Sequence, residues 1–202
     1  MPSPYKYIFI FLIFISCNHE HNPKPGKNTT IVLLPYSGFD TSLIPLIKSE
    51  IDSFYHCQII INKNEVLPAF SFYSPRNRYK ADSILVYEKQ LVDKNEIIVG
   101  LTDKDISTSK NDITDWGVLG LGLCPGNVCI ISTYRLEKIS IAQTQLKDRL
   151  IKIILHEIGH NFGLPHCTNN PECLMNDAEG SIATVDKEKK WLCDKCRQKL
   201  NL

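Results

Sequence analysis

The chain has 202 residues, of which 43% are hydrophobic and 22% are charged. This length and composition are typical of one globular domain and exclude fibrous and intrinsically disordered classes. The 23 Lys and Arg residues are balanced by 22 Asp and Glu residues, so the chain lacks the basic excess that nucleic-acid-binding proteins use. We therefore expect no nucleic-acid partner.

The N-terminal segment differs in kind from the rest of the chain. Lys6 is followed by nine apolar residues at 7–15, far fewer than the ~20 residues that a membrane-spanning helix needs. A short apolar run behind a positive charge is typical of a secretion signal, and a buried N-terminal strand is the alternative. The stretch FISC at 14–17 resembles a bacterial lipoprotein cleavage box, with Phe14 in place of the usual leucine.

This resemblance implies that Cys17 becomes the lipidated first residue of the mature protein. We predict a signal peptide over 1–16, a tether over 17–30 and a folded domain over 31–202. The tether is polar and contains prolines, as linkers often do. The predicted location is the cell envelope, where lipid on Cys17 attaches the protein to a membrane.

Hydrophobic periodicity predicts alternating strands and helices in the folded part. Apolar runs predict strands at 31–34, 57–61 and 96–101, and helical spacing predicts helices at 43–54, 82–92 and 140–162. The glycine-rich stretch 116–123 is predicted to be extended and to form a hairpin with 128–134 across the turn CPGN. Strands that alternate with helices indicate an α/β domain with a mixed, mostly parallel sheet.

Other side chains carry weaker expectations. Cys124 and Cys129 flank the hairpin turn and either form a disulfide or stay free, and we slightly favour the disulfide. Cys57 is expected to be a small buried residue. The charged run at 186–190 is expected to be a solvated face.

The stretch HEIGHNFGLPHC, at 156–167, gathers three histidines and one glutamate. On a helix, His156 and His160 lie on one face within ~6 Å of each other, away from the apolar stripe. Gly163 favours a left-handed backbone that ends the helix, so the chain can turn back and bring His166 to the same place. Three imidazoles leave the fourth tetrahedral position to water, as in catalytic rather than structural zinc sites.

Glu157 follows His156 directly and is predicted to reach the water at the open position. A carboxylate placed there acts as a general base, and zinc lowers the pKa of such a water toward ~7. Glu157 would then pass the proton to the leaving amine. The pattern therefore predicts hydrolysis of peptide bonds without a covalent intermediate.

These residues resemble the extended metzincin signature, HExxHxxGxxH. The residues beyond it narrow the resemblance: Cys167 and Cys173, then Met175, then Cys193 and Cys196 after a seventeen-residue gap are similar to the archaemetzincin pattern. Five residues separate the first two cysteines, where that family usually has four. Upstream, the stretch GLTDKDI and the glycine-rich segment are also similar to the family.

Resemblance to the archaemetzincins implies a metzincin-like zincin domain with a long active-site helix and a cysteine-rich, zinc-bound C-terminal segment. Met175 would form an apolar floor under a catalytic zinc at the three histidines. A second, structural zinc would be held by four thiolates, those of Cys167, Cys173, Cys193 and Cys196. The cofactor implied is therefore zinc, one catalytic ion and one structural ion.

Two parts of this interpretation stay open. Four thiols in an exported protein either bind zinc or form two disulfides, and the C-x-x-C spacing favours zinc. The segment containing Gly117, Val118, Leu119 and Gly120 either pairs with an extended substrate at the upper sheet edge or forms a plain β-bulge.

The residues and the resemblance together predict a monomeric zinc-dependent peptidase that acts on a peptide or protein substrate. The alternative is a module that keeps the zinc site and binds peptides or partner proteins with little turnover.

Overall fold

The structure is a computed structural model, which describes residues 23–138 and 142–202. The predicted signal peptide, Cys17 and the first part of the predicted tether lie outside the described residues. The rest of the tether forms a turn that packs on the domain. In this turn the Thr29 hydroxyl donates to the Lys24 carbonyl at 2.6 Å, and Lys27 pairs with Asp52 at 2.8 Å.

Strands and helices alternate along the chain, as predicted. The described residues form nine strands, namely β1 (Thr30–Pro35), β2 (Gln58–Ile61), β3 (Phe72–Tyr73), β4 (Arg78–Lys80), β5 (Glu96–Thr102), β6 (Ile106–Lys110), β7 (Ile113–Val118), β8 (Gly120–Gly122) and β9 (Val128–Ser132). They form six α-helices, namely α1 (Ile44–Tyr55), α2 (Ala81–Glu88), α3 (Tyr134–Glu137), α4 (Gln143–Asn161), α5 (Ile182–Lys187) and α6 (Asp194–Leu200). In the described part of the chain, no helix has both the length and the apolar character needed to cross a membrane.

A five-stranded sheet in the order β2-β1-β5-β9-β8 forms the centre of the domain. The pairs β1–β2, β1–β5 and β5–β9 are parallel, whereas β8 runs antiparallel to β9 at one edge. The predicted hairpin is confirmed, with Gly122 opposite Cys129. The predicted α/β class with a mixed, mostly parallel sheet is therefore confirmed.

Both faces of this sheet are covered by helices. Ile31 and Leu33 of β1 join the core beneath α1 and α4, whereas Val32 and Leu34 join the core beneath α2. Successive side chains of a strand point to opposite faces, so a strand buried on both sides is a continuous apolar run. Helix α4 packs against β8 and β9, which brings its C-terminal end to the edge of the sheet.

The structure contains a second sheet that the sequence pattern does not predict. Its four strands lie in the order β3-β4-β6-β7, and they are short and largely polar. Such strands show no clear hydrophobic periodicity, because polar side chains occupy many of their positions. Ion pairs contribute to holding them together. Arg78 lies 3.1 Å from Asp105 and 3.2 Å from Asp115, and Arg135 lies 2.8 Å from Asp105.

The disulfide favoured for Cys124 and Cys129 is wrong, because both are free thiols. The strand register places Gly122, not Cys124, opposite Cys129. Cys129 is fully buried in the core beneath α4, and the sulfur of Cys124 lies 3.2 Å from the Leu164 carbonyl oxygen. Cys57 is buried, as predicted.

The charged run at 186–190 is not simply a solvated face, because α5 packs against α4. Arg149 of α4 is buried and donates two hydrogen bonds, each 2.6 Å long, to the Asp186 carboxylate. Glu188 is also buried, with 4% of its surface exposed. The expectation is therefore wrong for Glu188, whereas Asp186, Lys187, Lys189 and Lys190 are exposed, as expected.

Candidate functional site

Helix α4 carries two histidines at its C-terminal end, and the following loop adds a third. The rings of His156 and His160 lie one helical turn apart, with 4.6 Å between their centroids. The centroid of the His166 ring lies 5.4 Å from the first and 4.8 Å from the second. One ligand atom from each ring lies within 4.8 Å of the others, so the three imidazoles surround a space that suits one metal ion.

The backbone reversal that brings in His166 begins at Gly163, as predicted. Gly163 has a φ of 91°, which an L side chain rarely adopts. Its N–H donates to the His160 carbonyl at 2.8 Å, and the N–H of Leu164 donates to the Gly159 carbonyl at 3.0 Å. This hydrogen-bond pair is the Schellman pattern that closes a helix C-terminus.

Backbone carbonyls orient the two helical histidines. Nδ1 of His156 lies 2.7 Å from the Leu174 carbonyl oxygen, and Nδ1 of His160 lies 2.7 Å from the Leu164 carbonyl oxygen. A carbonyl oxygen only accepts, so each Nδ1 donates its proton and each Nε2 keeps a free lone pair. Both rings therefore present Nε2 as the atom for a metal.

The third histidine has a side-chain acceptor instead. Nδ1 of His166 lies 3.2 Å from Oδ2 of Asp177, and the two side chains are 45% and 44% exposed. A carboxylate at this position fixes the ring orientation and makes the other ring nitrogen a better ligand. Asp177 lies outside the histidine motif, so no sequence pattern marks this contact.

The surroundings keep the helical imidazoles neutral. Burial, together with the neighbouring ring of His160, lowers the pKa of His156 to about 3. Burial likewise lowers the pKa of His160 to about 4. Metal binding requires neutral imidazole, so these two side chains are in the ligand form across the neutral range.

Glu157 lies against the edge strand β8, and two glycines make room for it. A side-chain carbon at Gly120 would stand 2.9 Å from Cγ and Oε1 of Glu157, and one at Gly122 would stand 3.0 Å from Oε2. These glycines are two residues apart and therefore face the same side of the strand. Burial raises the pKa of Glu157 to about 8, against the opposing effect of a hydrogen bond from the Gly122 backbone.

Met175 packs against α4 at Gly159, the residue before His160. It is fully buried, and a side-chain carbon at Gly159 would stand only 2.5 Å from its sulfur. Gly159 lies in the interior of α4, where glycine usually destabilises a helix by ~1 kcal/mol relative to alanine. The close approach of Met175 gives the physical reason for a glycine there, a reason that the sequence alone does not reveal.

Four buried cysteines form a second cluster. The sulfur of Cys167 lies 3.6 Å from that of Cys193, and the sulfur of Cys173 lies 3.9 Å from that of Cys196. All four sulfurs lie within 4.8 Å of one another, and all four are free thiols. The N–H groups of Asn169 and Cys193 point at two of these sulfurs, each at 3.4 Å.

A short segment joins the two clusters. The N–H of Cys167 donates to the Met175 carbonyl at 2.7 Å, and the N–H of Leu174 donates to the Trp191 carbonyl at 2.8 Å. The carbonyl of the same Leu174 accepts from His156. The backbone that carries the cysteines therefore also fixes the ring of a helical histidine.

The histidines and Glu157 lie in an open cleft of about 540 Å³. Of the predicted substrate-contacting residues, Val118, Leu119 and Gly120 line this cleft, whereas Gly117 is not among its lining residues. The guanidinium of Arg135 lies over Gly117. The segment is divided between two sheets, with Gly117 and Val118 in β7 and Gly120 in the edge strand β8.

Comparison with known proteins identifies the family. A sequence model of peptidase family M54 matches residues 52–202. The archaemetzincin of Haloquadratum walsbyi is 30% identical over 153 residues, which cover 72% of this chain and 84% of that protein. The archaemetzincin of Saccharolobus solfataricus is 30% identical over 176 residues, which cover 84% of this chain and 91% of that protein. The chain belongs to the archaemetzincins, peptidase family M54.

Solved structures show the same fold. The archaemetzincin of Methanopyrus kandleri superposes with a TM-score of 0.73 at 23% identity, covering 86% of this chain and 93% of that one. A zinc-dependent peptidase of Methanocorpusculum labreanum gives a TM-score of 0.72 at 25% identity, covering 85% of this chain and 100% of that one. The predicted archaemetzincin fold is therefore confirmed, and the chain is a zinc metallopeptidase.

The side chains of both clusters fit zinc. Four thiolates at a Zn–S distance of ~2.3 Å in a tetrahedron place their sulfurs ~3.8 Å apart, and the two separations of 3.6 and 3.9 Å lie on either side of this value. Sulfurs joined in a disulfide are only ~2.05 Å apart. The histidine cluster offers neutral nitrogen donors whose orientation is already fixed.

Proposed function

We propose that this archaemetzincin hydrolyses peptide bonds with a zinc ion held by His156, His160 and His166 and with Glu157 as general base. One observation carries the proposal. The three imidazoles and the buried Glu157 carboxyl line the same open cleft, so an extended peptide can reach all of them together. We propose a second, structural zinc at Cys167, Cys173, Cys193 and Cys196.

The protein residues divide the chemistry between them. When bound at the histidines, zinc supplies a Lewis acid that polarises the scissile carbonyl and makes a water acidic near neutral pH. Glu157 accepts a proton from the attacking water and delivers it to the nitrogen of the leaving amine. Burial raises the pKa of Glu157, and a cation held by the histidines would favour the ionised form that accepts the proton.

The edge strand β8 provides a place for the substrate backbone. It has a partner on one side, β9, and none on the other side in the order of the described strands. An extended peptide that adds to this edge gains main-chain hydrogen bonds next to Glu157. We include Val118, Leu119 and Gly120 in this surface because they line the cleft.

Replacement of the proposed base separates chemistry from metal binding. Glu157→Gln should lower kcat on a peptide library by about 10²-fold or more, because proton transfer is lost. Zinc content should stay unchanged, since Glu157 is not a proposed ligand. Glu137→Gln is the matched control, because Glu137 is exposed and does not line the cleft.

Two outcomes would overturn this assignment. Equal cleavage by wild type and Glu157→Gln would remove Glu157 from the mechanism. If the zinc-loaded wild type bound peptides by calorimetry and released no products, the binding module with little turnover would replace the peptidase proposal.

We also propose that the mature protein begins at a lipidated Cys17 and is attached to a membrane of the cell envelope. The support is the sequence at the N-terminus, which lies outside the described residues. Mass spectrometry of protein purified from membranes should show loss of residues 1–16 and an acylated N-terminal cysteine. An intact Met1 terminus would contradict the proposal.

A further inference from the structure

One part of the cleft wall is unusually rich in buried charge. It is formed by Lys152 and Ile153 of α4, Val185 of α5 and Glu188 just after α5. Lys152 precedes His156 by four residues, which is about one helical turn, so this wall adjoins the histidine cluster. We name these four residues the α4–α5 wall.

Glu188 in this wall has an unused hydrogen-bond acceptor. The residue is 4% exposed, and its Oε1 is buried with no hydrogen-bond partner in the described part of the chain. A buried carboxyl oxygen without a partner is costly, and native proteins rarely keep one without a reason. Because Glu188 lines the cleft, a bound molecule can supply the missing donor.

The nearby ammonium group does not fill this role. Nζ of Lys152 lies 2.8 Å from the Asp148 carboxylate and donates to the Val185 carbonyl at 3.1 Å. Its charge is thus paired with Asp148, which leaves the carboxyl of Glu188 as the unsatisfied group of the wall. Asp177 adds further negative charge on the cleft, since it also lines it.

The pKa of Glu188 depends on burial and on the charges beside it. Burial raises the pKa of Glu188 to about 8; Lys152 acts against this, and Asp177 adds to it. A cation placed beside the carboxyl would favour its ionised form. A basic group bound at the wall would therefore ionise Glu188 and supply a donor to its buried oxygen.

We propose that the α4–α5 wall binds a basic side chain, lysine or arginine, of a substrate residue that flanks the scissile bond, with Glu188 as its acceptor. This inference rests on the proposed function, because it names the substrate class of the same cleft. An aliphatic side chain would leave Oε1 unsatisfied, and an acidic one would place a third carboxylate beside Glu188 and Asp177. A basic side chain supplies both the donor and the charge.

The test compares peptides that differ at one flanking residue. Two matched sets carry lysine, arginine, norleucine or glutamate at the residue before or the residue after the scissile bond, with the rest of the sequence constant. Zinc-loaded wild type should cleave the lysine or arginine peptide of one set with kcat/KM about tenfold or more above the norleucine peptide. Glu188→Gln should reduce this ratio to about one, while Glu137→Gln leaves it unchanged.

Folding and turnover are separated from specificity by two further measurements. Glu188→Gln must be fully folded at the assay temperature, and its kcat/KM on the norleucine peptide must be retained. If either condition fails, Glu188→Met replaces it in the comparison. Equal cleavage of the lysine, arginine and norleucine peptides by wild type would overturn the inference and leave the proposed peptidase intact. If no peptide is cleaved, the proposed function fails, and calorimetry of the same peptides tests the inference instead. Tighter binding of the lysine or arginine peptide that is lost in Glu188→Gln would support the inference. Equal binding of all the peptides would overturn it.

Discussion

Single residues around the histidines decide how well the site is formed. His156 and His160 are oriented by backbone carbonyls, whereas His166 depends on one exposed carboxylate, Asp177. The histidines and Glu157 were predictable, because a helix places i and i+4 on one face and a glycine ends it. Asp177 and Glu188 were not, because their contacts depend on how distant loops pack.

The Asp177 contact gives a prediction for metal affinity. Asp177→Ala removes the acceptor at Nδ1 of His166, so the affinity of the histidine site for zinc should fall about tenfold. The expected loss of zinc affinity is at the low end for such a contact, because both side chains are exposed to solvent. Competition with a chromophoric chelator measures it, with Glu179→Gln as a neighbouring exposed control. Equal affinities in wild type and Asp177→Ala would show that the contact does not support the ligand.

Glu188 gives a prediction for stability against pH. Burial raises its pKa from 4.5 to about 8, so between these values the folded chain holds a proton that the unfolded chain releases. The contribution of Glu188 to the free energy of unfolding is therefore complete below about pH 4.5, and it is lost as pH rises through about 8. Between about pH 4.5 and 8, the free energy of unfolding of wild type should fall by on the order of a few kcal/mol at most relative to that of Glu188→Gln. The glutamine side chain does not titrate. Urea unfolding of both proteins at several pH values measures it, and parallel pH profiles would contradict it.

At the scale of elements, α4 organises the site and the sheet edge completes it. The helix, the hairpin and the central sheet could be predicted, because long apolar runs and helical spacing mark them in the sequence. The second sheet could not, because β4 and β6 carry polar side chains and are held partly by the ion pairs of Arg78. Helix α2 ends at Glu88 rather than at the predicted Val92, and Leu91 beyond it is exposed.

The packing of α4 on Met175 reverses the usual effect of an alanine substitution. In an exposed helix Gly→Ala stabilises by ~1 kcal/mol. Here a side-chain carbon at Gly159 would stand 2.5 Å from the sulfur of the buried Met175 and 3.1 Å from the Tyr55 hydroxyl. Gly159→Ala should therefore destabilise the protein by about 1–3 kcal/mol.

A double-mutant cycle tests the cause. In a Met175→Ala background the same Gly159→Ala change should be much less harmful, because the clashing sulfur is gone. Denaturant unfolding of the four proteins gives the coupling. Strict additivity of the two changes would show that Met175 is not responsible.

At the scale of the whole molecule, the two proposed metal sites are neighbours in the chain. His166 and Cys167 are adjacent, and the segment between Cys167 and Met175 connects both clusters through backbone hydrogen bonds. The cysteine spacing favoured zinc over disulfides in the sequence, and the separation of the sulfurs agrees with zinc. Their arrangement in space depends on α6, which carries Cys196 to within 3.9 Å of the Cys173 sulfur.

This arrangement predicts that the sites are coupled. Wild type should contain about two zinc ions per chain, and Cys193→Ser/Cys196→Ser about one. The remaining histidine site should bind zinc more weakly than in wild type, because Leu174 and His166 lose their support. Elemental analysis and chelator competition measure both effects, with Cys124→Ser as a cysteine control that keeps two ions. Unchanged affinity in the double variant would show that the sites are independent.

The edge strand β8 has a consequence for how a peptide and the base come together. Only three residues long, it offers one side to Glu157 through Gly120 and Gly122 and its outer rim to an incoming chain. If a peptide pairs with that edge as proposed, it would order the same backbone against which the Glu157 side chain packs. In the proposed mechanism, a ligand that pairs with this edge one residue out of register would then displace the proposed base as well as its own backbone.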